Sequence, residues 1–102
     1  MTAKMAVVAH GGAGSGPARQ TNLQVAVDLA SKLLLSGASA VEAAVEACVI
    51  LEDDPVFNAG TGGVFRIDGS VLLDASIQTS DGRIGFVIAM KETPNPIRVA
   101  AD

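Results

Sequence analysis

The chain has 102 residues, enough for one domain at most, and its 49% hydrophobic content provides material for a core. Its net charge of −4 and its seven scattered basic residues argue against nucleic acid as a partner. The apolar run after Lys4 is too short for a signal peptide or a membrane span, so we expect a cytoplasmic protein without membrane contact.

The first predicted element is a buried strand from Met5 to His10, which is apolar on both alternating faces and runs into the sequence GGAGSGPA. A dinucleotide or phosphate site is rejected here, because the glycines have G-x-G-x-G spacing and no P-loop lysine follows. The favoured interpretation of His10 is a hydrogen-bonded residue that holds the loop, and the alternative is direct chemistry.

Two helices follow the loop. Thr21 or Asn22 is the predicted N-cap of the first helix, and Gly37 is its left-handed stop. Ser39 and Glu42 form a predicted capping box for the second helix, which Pro55 must end. The core-facing stripes are Leu23, Val27, Ala30 and Leu34 in the first helix, and Val41, Ala44, Val45 and Cys48 in the second.

Cys48 is the single cysteine, so it forms no internal disulfide. Its place on the apolar stripe of the second helix predicts a buried spectator without a catalytic role.

After residue 63 the helical spacing of apolar residues gives way to short strand-like runs. Asp68-Gly69 and the sequence Ser80 to Gly82 are turn signals between apolar runs, and they predict a three-stranded antiparallel meander. Asn95 and Pro96 then predict the N-cap and first position of a helix that reaches residue 102 after about two turns. The runs AVVA, VLL and FVIAM lack alternation, which is typical of strands covered on both faces. Two full helices cover only one face, so we expect a larger layered structure of which this chain is a part.

Three acids, Glu52, Asp53 and Asp54, lie where the second helix is predicted to end. Negative charge is unfavourable there, because the last turn of a helix has unpaired carbonyls and a partial negative charge. Carboxylates and free carbonyls together suggest a site for a hard cation. The alternative, weighed about equally, is that some acids point into water or that one caps the amides of the following loop.

The other polar candidates are Asn58, Thr61, Asp74 and Ser76. The amide of Asn58 offers a donor and an acceptor to a substrate or a water, or else forms an Asx-type turn. Asp74 and Ser76 alternate to one face of a strand, where an inward carboxylate demands partners. No Ser-His-Asp or Cys-His set can be nominated from a single histidine.

Four segments carry a resemblance to a known family: VVAHGGAG, AVEAAVEACVILEDDPVFNAGTGGVF, DGSVLLDASI and NPIRVA. They resemble the N-terminal part of the plant-type L-asparaginases, or isoaspartyl peptidases, which are N-terminal-nucleophile hydrolases. The resemblance covers nearly the whole chain, and LEDDPVFNAGTG is its most specific part.

The resemblance implies an α/β (α+β) fold, a partial αββα sandwich, with residues 1–102 as a single incomplete domain at the front of an α subunit. It also implies autocleavage of a precursor into α and β subunits, an (αβ)2 assembly, and a nucleophilic threonine at the N-terminus of β. The expected substrate is a small molecule or dipeptide, asparagine or a β-aspartyl peptide. Thr2 is a disfavoured alternative nucleophile, since it lacks the glycine-bearing context of such a residue.

The resemblance also assigns roles to residues of this chain. Asn58 matches an asparagine near the nucleophile, and His10, Gly11 and Gly12 match a loop implicated in autocleavage. Asp74 departs from the family pattern, because DASIQTSDG is longer than the usual spacing between the acid-containing strand and the turn that follows it. Similar proteins bind a structural sodium ion, and no organic cofactor, through main-chain carbonyls that correspond to Leu51, Glu52, Asp54, Phe57, Ala59 and Thr61. The competing hypothesis is a truncated, non-catalytic binding or regulatory module on the same scaffold.

Overall fold

The computed structural model describes residues 4–14 and 16–102. Within these residues the elements are α1 (Gln20–Leu35), α2 (Ala40–Asp53), β1 (Leu73–Gln78), β2 (Ile84–Met90) and α3 (Pro96–Ala101). Short 3-10 turns at Pro17–Arg19 and Gly60–Gly62 precede α1 and β1. The mixture of helices and antiparallel strands confirms the predicted α+β class.

α1 and α2 form a packed pair whose connection depends on a left-handed residue. Gly37 has a φ of 98°, a conformation that glycine adopts without strain. The N–H groups of Gly37 and Ala38 donate to the carbonyls of Leu34 and Leu33, which is the Schellman ending of a helix. The predicted stop of α1 is therefore confirmed.

α2 begins and ends as predicted. The Ser39 hydroxyl accepts a 3.1 Å bond from the Glu42 N–H, and the helix ends at Asp53, two residues before Pro55. The α1–α2 interface contains small side chains, which let the helix backbones approach closely. The buried apolar residues of the two helices are Ala26 and Ala30 in α1 and Ala43 and Val45 in α2.

The predicted N-cap of α1 is wrong. The helix begins at Gln20, directly after the 3-10 turn, and it has no side-chain cap. Thr21 and Asn22 therefore lie inside the first turn. The 3-10 turn starts at Pro17, whose fixed φ suits a helix start, so a helical conformation begins earlier than the polar residues suggested.

The hairpin of β1 and β2 confirms one of the two predicted sheet turns. The Thr79 N–H donates to the Arg83 carbonyl, and the Gly82 N–H donates to the Thr79 carbonyl. Gly82 has a φ of 89°, as a tight turn of this kind requires.

The predicted third strand is not formed. Arg66 and Ser70 are joined by a 2.7 Å backbone bond across the Asp68-Gly69 turn, but the only sheet in the described residues has two strands. Val64 and Phe65 are exposed, so a strand here would bury little of its side chains. Strand formation depends on such packing, and a turn alone does not supply it.

The predicted first strand is also absent from the described residues. Residues 5–10 have no strand partner, and they lie over a groove between α1 and α2 that is lined by Ala30, Leu34, Ala44, Cys48 and Leu51. Val8 points outward and is 93% exposed. A strand is stabilised by a neighbouring strand, and the hairpin pairs only with itself in the part of the chain described.

One face of the hairpin packs on α3 and the other is open. The open face combines a polar strand with an apolar one. β1 contributes Asp74, Ser76 and Gln78, and β2 contributes Ile84, Phe86 and Ile88, which are 64%, 65% and 70% exposed. Apolar side chains on an open face agree with the expectation that these strands need a cover on both sides.

Gly85 permits the close packing of α3 on the hairpin. It lies on the inner face of β2, and a Cβ at this position would overlap the backbone carbonyl oxygen of Ala100 in α3. A backbone atom cannot rotate away as a side chain does, so any larger residue must displace the helix.

We expect Gly85→Ala to lower the free energy of unfolding by about 1–3 kcal/mol, the usual effect of overpacking. Gly14→Ala is the matched control, because a Cβ at Gly14 meets no atom within 4 Å. Urea unfolding of both variants checks the prediction. Equal stability of the two variants would show that α3 does not pack on Gly85.

Candidate functional site

The acids at the end of α2 stabilise the start of α3. Glu52 is 6% exposed, and one of its oxygens, Oε2, accepts a 3.1 Å bond from the Ile97 N–H in the first turn of α3. Its Oε1 accepts a 3.2 Å bond from Nδ2 of Asn95. A carboxylate is favourable at the N-terminus of a helix, where N–H groups lack partners. Glu52 thus serves α3, although it belongs to the last turn of α2.

Asn95 is at the predicted N-cap position, but it does not cap α3 with its side chain. Its Nδ2 instead donates to Glu52 and, at 2.9 Å, to Oδ1 of Asp53. A single amide therefore holds two of the three acids. The predicted helix start is confirmed, and the capping group is Glu52.

Asp54 fixes the turn that leaves α2. Its Oδ1 accepts a 3.1 Å bond from the Val56 N–H, and its main-chain carbonyl accepts a 3.2 Å bond from the Phe57 N–H. Its Oδ2 accepts a 2.9 Å bond from Nδ2 of Asn22 in α1. This geometry bears out the alternative in which one acid caps the amides of the loop.

A second bond between α2 and α3 lies on the surface. The two terminal guanidinium nitrogens of Arg98, Nη1 and Nη2, donate to the Glu46 carboxylate at 2.9 and 3.1 Å. The bonds from Arg98 lower the pKa of the Glu46 carboxyl. Since the side chains of the pair are partly exposed, it contributes little to stability.

Main-chain carbonyls converge on two glycines of the loop. A Cβ at Gly60 would lie 2.5 Å from the carbonyl oxygens of both Glu52 and Pro94, and a Cβ at Gly62 would overlap the carbonyl oxygens of Phe57 and Pro55. Glycine at these two positions lets the oxygens approach. The loop therefore concentrates carbonyl groups next to the negative end of α2.

The last carbonyls of α2 also lack their usual helical partners. The i+4 partner of Leu51 is Pro55, which has no N–H. The Val56 N–H, four residues after Glu52, donates to the Asp54 side chain. Among residues 4–14 and 16–102, no group of three or more His, Cys, Asp or Glu side chains is placed to hold a metal ion. The oxygens that are brought together here belong to the main chain.

Asn58 lies on the exposed side of the same loop. Its Oδ1 accepts a 3.0 Å bond from the Val64 N–H, which closes residues 58–64 into a ring. This bond fixes the side chain, and its Nδ2 has no partner in the described part of the chain. The residue is therefore positioned by the loop and still has a donor to offer.

His10 has the favoured loop-holding geometry. Its Nδ1 accepts a 2.9 Å bond from the Gly12 N–H, and Gly12 has a φ of 96°. An accepting Nδ1 leaves the proton of the neutral ring on Nε2. His10 and Leu51 both line the groove between α1 and α2, and Asn58 is not among its lining residues.

The remaining candidates lie elsewhere. Asp74 is exposed in the hairpin, where its Oδ1 accepts a 2.8 Å bond from the N–H of Ala89 at an irregularity of the strand register. Ser76 shares its exposed face. Cys48 is half-buried, which is less than the full burial predicted, and its partial burial raises the pKa of its thiol. Thr2 lies outside the described residues.

Sequence reasoning missed Asn22 and the true role of Asn95. Their carboxylate partners are 32 and at least 42 residues away in the chain. No local pattern marks such a pair. The available signal was the unexplained cluster of acids, which required donors from another element.

Comparison with known proteins places the chain in a family. The protein family described as asparaginase matches residues 3–102. An isoaspartyl peptidase/L-asparaginase of Nostoc sp. is 43% identical over 92% of this chain and 32% of its own length. A protein of the same description from Macaca fascicularis is 43% identical over 92% of this chain and 33% of its own. A plant-type L-asparaginase of Pyrococcus horikoshii is 40% identical over 94% of this chain and 33% of its own length.

This chain belongs to the asparaginase family. It spans about a third of the length of the curated relatives that it matches. None of the helices in the described residues has the length and apolar character needed to cross a membrane.

The buried Glu52 predicts a pH dependence of stability. Burial raises the pKa of the Glu52 carboxyl, and the bonds from Ile97 and Asn95 only partly oppose this effect. When the pKa of a carboxyl is higher in the folded state than in the unfolded state, the folded state binds the proton more tightly. The contribution of Glu52 to stability is then fully present below the unfolded pKa of about 4.3 and is lost as pH rises through the folded pKa.

The measurement is urea unfolding of the unsubstituted protein and of Glu52→Gln across this pH range. We expect the stability difference, unsubstituted minus variant, to decrease as pH rises above about 4.3. Subtraction removes the titration of the other carboxyls. An increase of the difference with pH would mean that the hydrogen bonds outweigh burial.

Proposed function

We propose that this chain is the non-nucleophile part of an asparaginase or isoaspartyl peptidase that hydrolyses the side-chain amide of L-asparagine or β-aspartyl peptides. The observation that carries the proposal is the loop after α2. It places the fixed Asn58 amide on an exposed surface, with Nδ2 available to a partner. The relatives with this segment are described as isoaspartyl peptidases or L-asparaginases.

In the proposed reaction, a threonine at the N-terminus of a β subunit is the nucleophile, and its own amine takes the hydroxyl proton. The oxygen attacks the amide carbonyl, and the nitrogen leaves as ammonia or an amine after it receives that proton. Water then releases the acid from the ester. Asn58 is proposed to donate from Nδ2 near the reacting groups, where a fixed donor stabilises developing charge.

His10, Gly11 and Gly12 are proposed to contribute to the autocleavage that exposes this threonine. The bond from the Gly12 N–H to His10 supports the proposal, because it holds the loop of residues 10–12 in one shape. A loop of fixed shape can position the separate segment that is cleaved, since cleavage depends on the orientation of the reacting groups.

We also propose a structural sodium ion at the loop, held by the main-chain carbonyls of Leu51, Glu52, Asp54, Phe57, Ala59 and Thr61. The proposal is supported by two of these carbonyls, those of Glu52 and Phe57, which approach Gly60 and Gly62 so closely that a Cβ would fill the space, and oxygen atoms of this kind suit a hard cation. The ion would neutralise part of the negative charge at the end of α2. No organic cofactor is proposed.

The proposed partners are the rest of the α subunit and the β subunit, in an (αβ)2 assembly in the cytoplasm. Two observations support a larger structure. The open face of the hairpin exposes three large apolar side chains, and the chain covers about a third of its relatives. Exposed apolar faces of this kind are commonly interfaces.

The first prediction concerns completion of the enzyme. We expect residues 1–102 alone to lack asparaginase and β-aspartyl peptidase activity, because the proposed nucleophile is on another segment. Expression with the downstream coding sequence is expected to restore turnover with one active threonine per αβ unit. In the completed enzyme, Asn58→Ala should lower kcat/KM by about 10²-fold or more, as for loss of a fixed donor.

Gln20→Ala is the control, since Gln20 is an exposed amide in the first turn of α1. Turnover by residues 1–102 alone would overturn the proposal and return attention to Thr2. An inactive completed protein would favour the binding or regulatory module.

The second prediction concerns sodium. At equal ionic strength, sodium chloride should raise the Tm of the completed protein more than tetramethylammonium chloride does, because only the small cation fits between carbonyls. Gly60→Ala should abolish this difference, since its Cβ would crowd the Glu52 and Pro94 oxygens. Gly69→Ala is the control, because Gly69 also has a positive φ but has open space around it. Identical shifts with both salts in the unsubstituted protein would contradict a sodium site.

A further inference from the structure

Asn22 joins the first turn of α1 to the end of α2. Its Nδ2 donates to Oδ2 of Asp54 at 2.9 Å, and the bond is partly buried. The two residues are 32 positions apart, so this contact is tertiary and not a by-product of local geometry. Nothing in the helical pattern of α1 requires it, because α1 has no side-chain cap at all.

Asp54 is the residue at which the chain leaves the helical conformation. Its φ and ψ of −90° and 113° are extended, whereas Asp53 is still in α2. Its Oδ1 receives the Val56 N–H and its main-chain carbonyl receives the Phe57 N–H. The orientation of Asp54 therefore decides where the first carbonyls of the loop point.

Asn22 uses the remaining carboxylate oxygen of Asp54. Asp54 sits beside two other acids at the negative end of α2, so its carboxylate is repelled toward water. A donor on Oδ2 opposes this and keeps Oδ1 on Val56. The donor is a neutral amide, which fixes the carboxylate without placing a competing positive charge beside the proposed cation.

The buried Phe57 anchors the other end of the same turn. It is 3% exposed, and its N–H is bonded to the Asp54 carbonyl. The Asp54 and Phe57 carbonyls, both proposed sodium ligands, thus lie on a turn that is fixed by burial at one end and by Asn22 at the other.

We propose that Asn22 is a positioning residue for the cation site, and that it sets sodium affinity by orienting Asp54 without contacting the ion. This inference depends on the proposed sodium site. It assigns a positioning role to a residue of α1, although all the proposed ligands lie at the end of α2 and in the loop after it.

The experiment measures Tm against sodium concentration in the completed protein, with tetramethylammonium used to hold ionic strength constant. Asn22→Ala should raise the sodium concentration for half-maximal stabilisation by about 3- to 10-fold, the loss expected from a free-energy change of one charge-assisted hydrogen bond or less. Gln24→Ala is the matched control, because Gln24 is an amide of the same helix whose 2.7 Å bond to Asp28 stays within α1. It should leave the sodium midpoint unchanged.

A purely structural role for Asn22 has a different signature. If the role is purely structural, Asn22→Ala lowers Tm equally with and without sodium and leaves the sodium concentration for half-maximal stabilisation unchanged. That outcome overturns the inference. Action through Asp54 requires that Asn22→Ala has no further effect on the midpoint in an Asp54→Ala background. An undiminished effect in that background also overturns it.

The two levels of the proposal fail in distinguishable ways. Sodium stabilisation that is present and identical in Asn22→Ala refutes the role of Asn22 alone. Absence of any sodium-specific stabilisation in the unsubstituted protein refutes the cation site and, with it, the inference.

Discussion

The buried carboxylate of Glu52 is the interaction on which the arrangement of the elements depends. It joins the last turn of α2 to the first turn of α3 through the Ile97 N–H and the Asn95 amide. α3 has only six residues, far fewer than an isolated helix needs in water. Its position therefore comes from tertiary contacts, and the hairpin that packs against α3 is positioned with it.

The same contact explains an electrostatic conflict in the sequence. Three acids at the C-terminus of a helix are unfavourable when that helix is considered alone. In the fold, Glu52 faces the N-terminus of α3, Asp53 accepts from Asn95, and Asp54 caps the following loop. Each acid receives a donor from outside α2. Because the carboxylates are used in this way, main-chain carbonyls are left as the oxygens that a cation would contact.

Sequence reasoning succeeded where a few neighbouring residues decide the structure. The stop at Gly37, the cap at Ser39, and the turn before β2 each depend on fewer than about six residues, and each is confirmed. The strands predicted at residues 5–10 and after residue 63 failed because a strand needs a partner and a surface to pack on. Apolar composition predicts that such a run needs burial, but not which neighbour provides it.

The same limit applies to the site. The acids, the glycines and Asn58 could be nominated from one short segment, since they are adjacent in sequence. The donors to the acids could not be nominated in this way, because Asn22 and Asn95 come from two other parts of the fold. A cluster of like charges at an unfavourable place is nevertheless informative, since it implies that compensating donors must come from elsewhere in the fold.

The two faces of the hairpin differ in their contacts, because one packs on α3 and the other is open. On β2, the exposed alternate positions from Ile84 to Ile88 carry large apolar residues, while the β1 partners of Ile84 and Phe86 are polar. A layer that covers this face must therefore be apolar above β2 and must accommodate hydrogen-bonding groups above β1. The Asp74 carboxylate accepts a bond from the Ala89 N–H, so it is held at the boundary between the polar strand β1 and the apolar strand β2. One side of the hairpin therefore packs against α3 within this chain, whereas the opposite side carries the exposed apolar residues that a covering layer would bury.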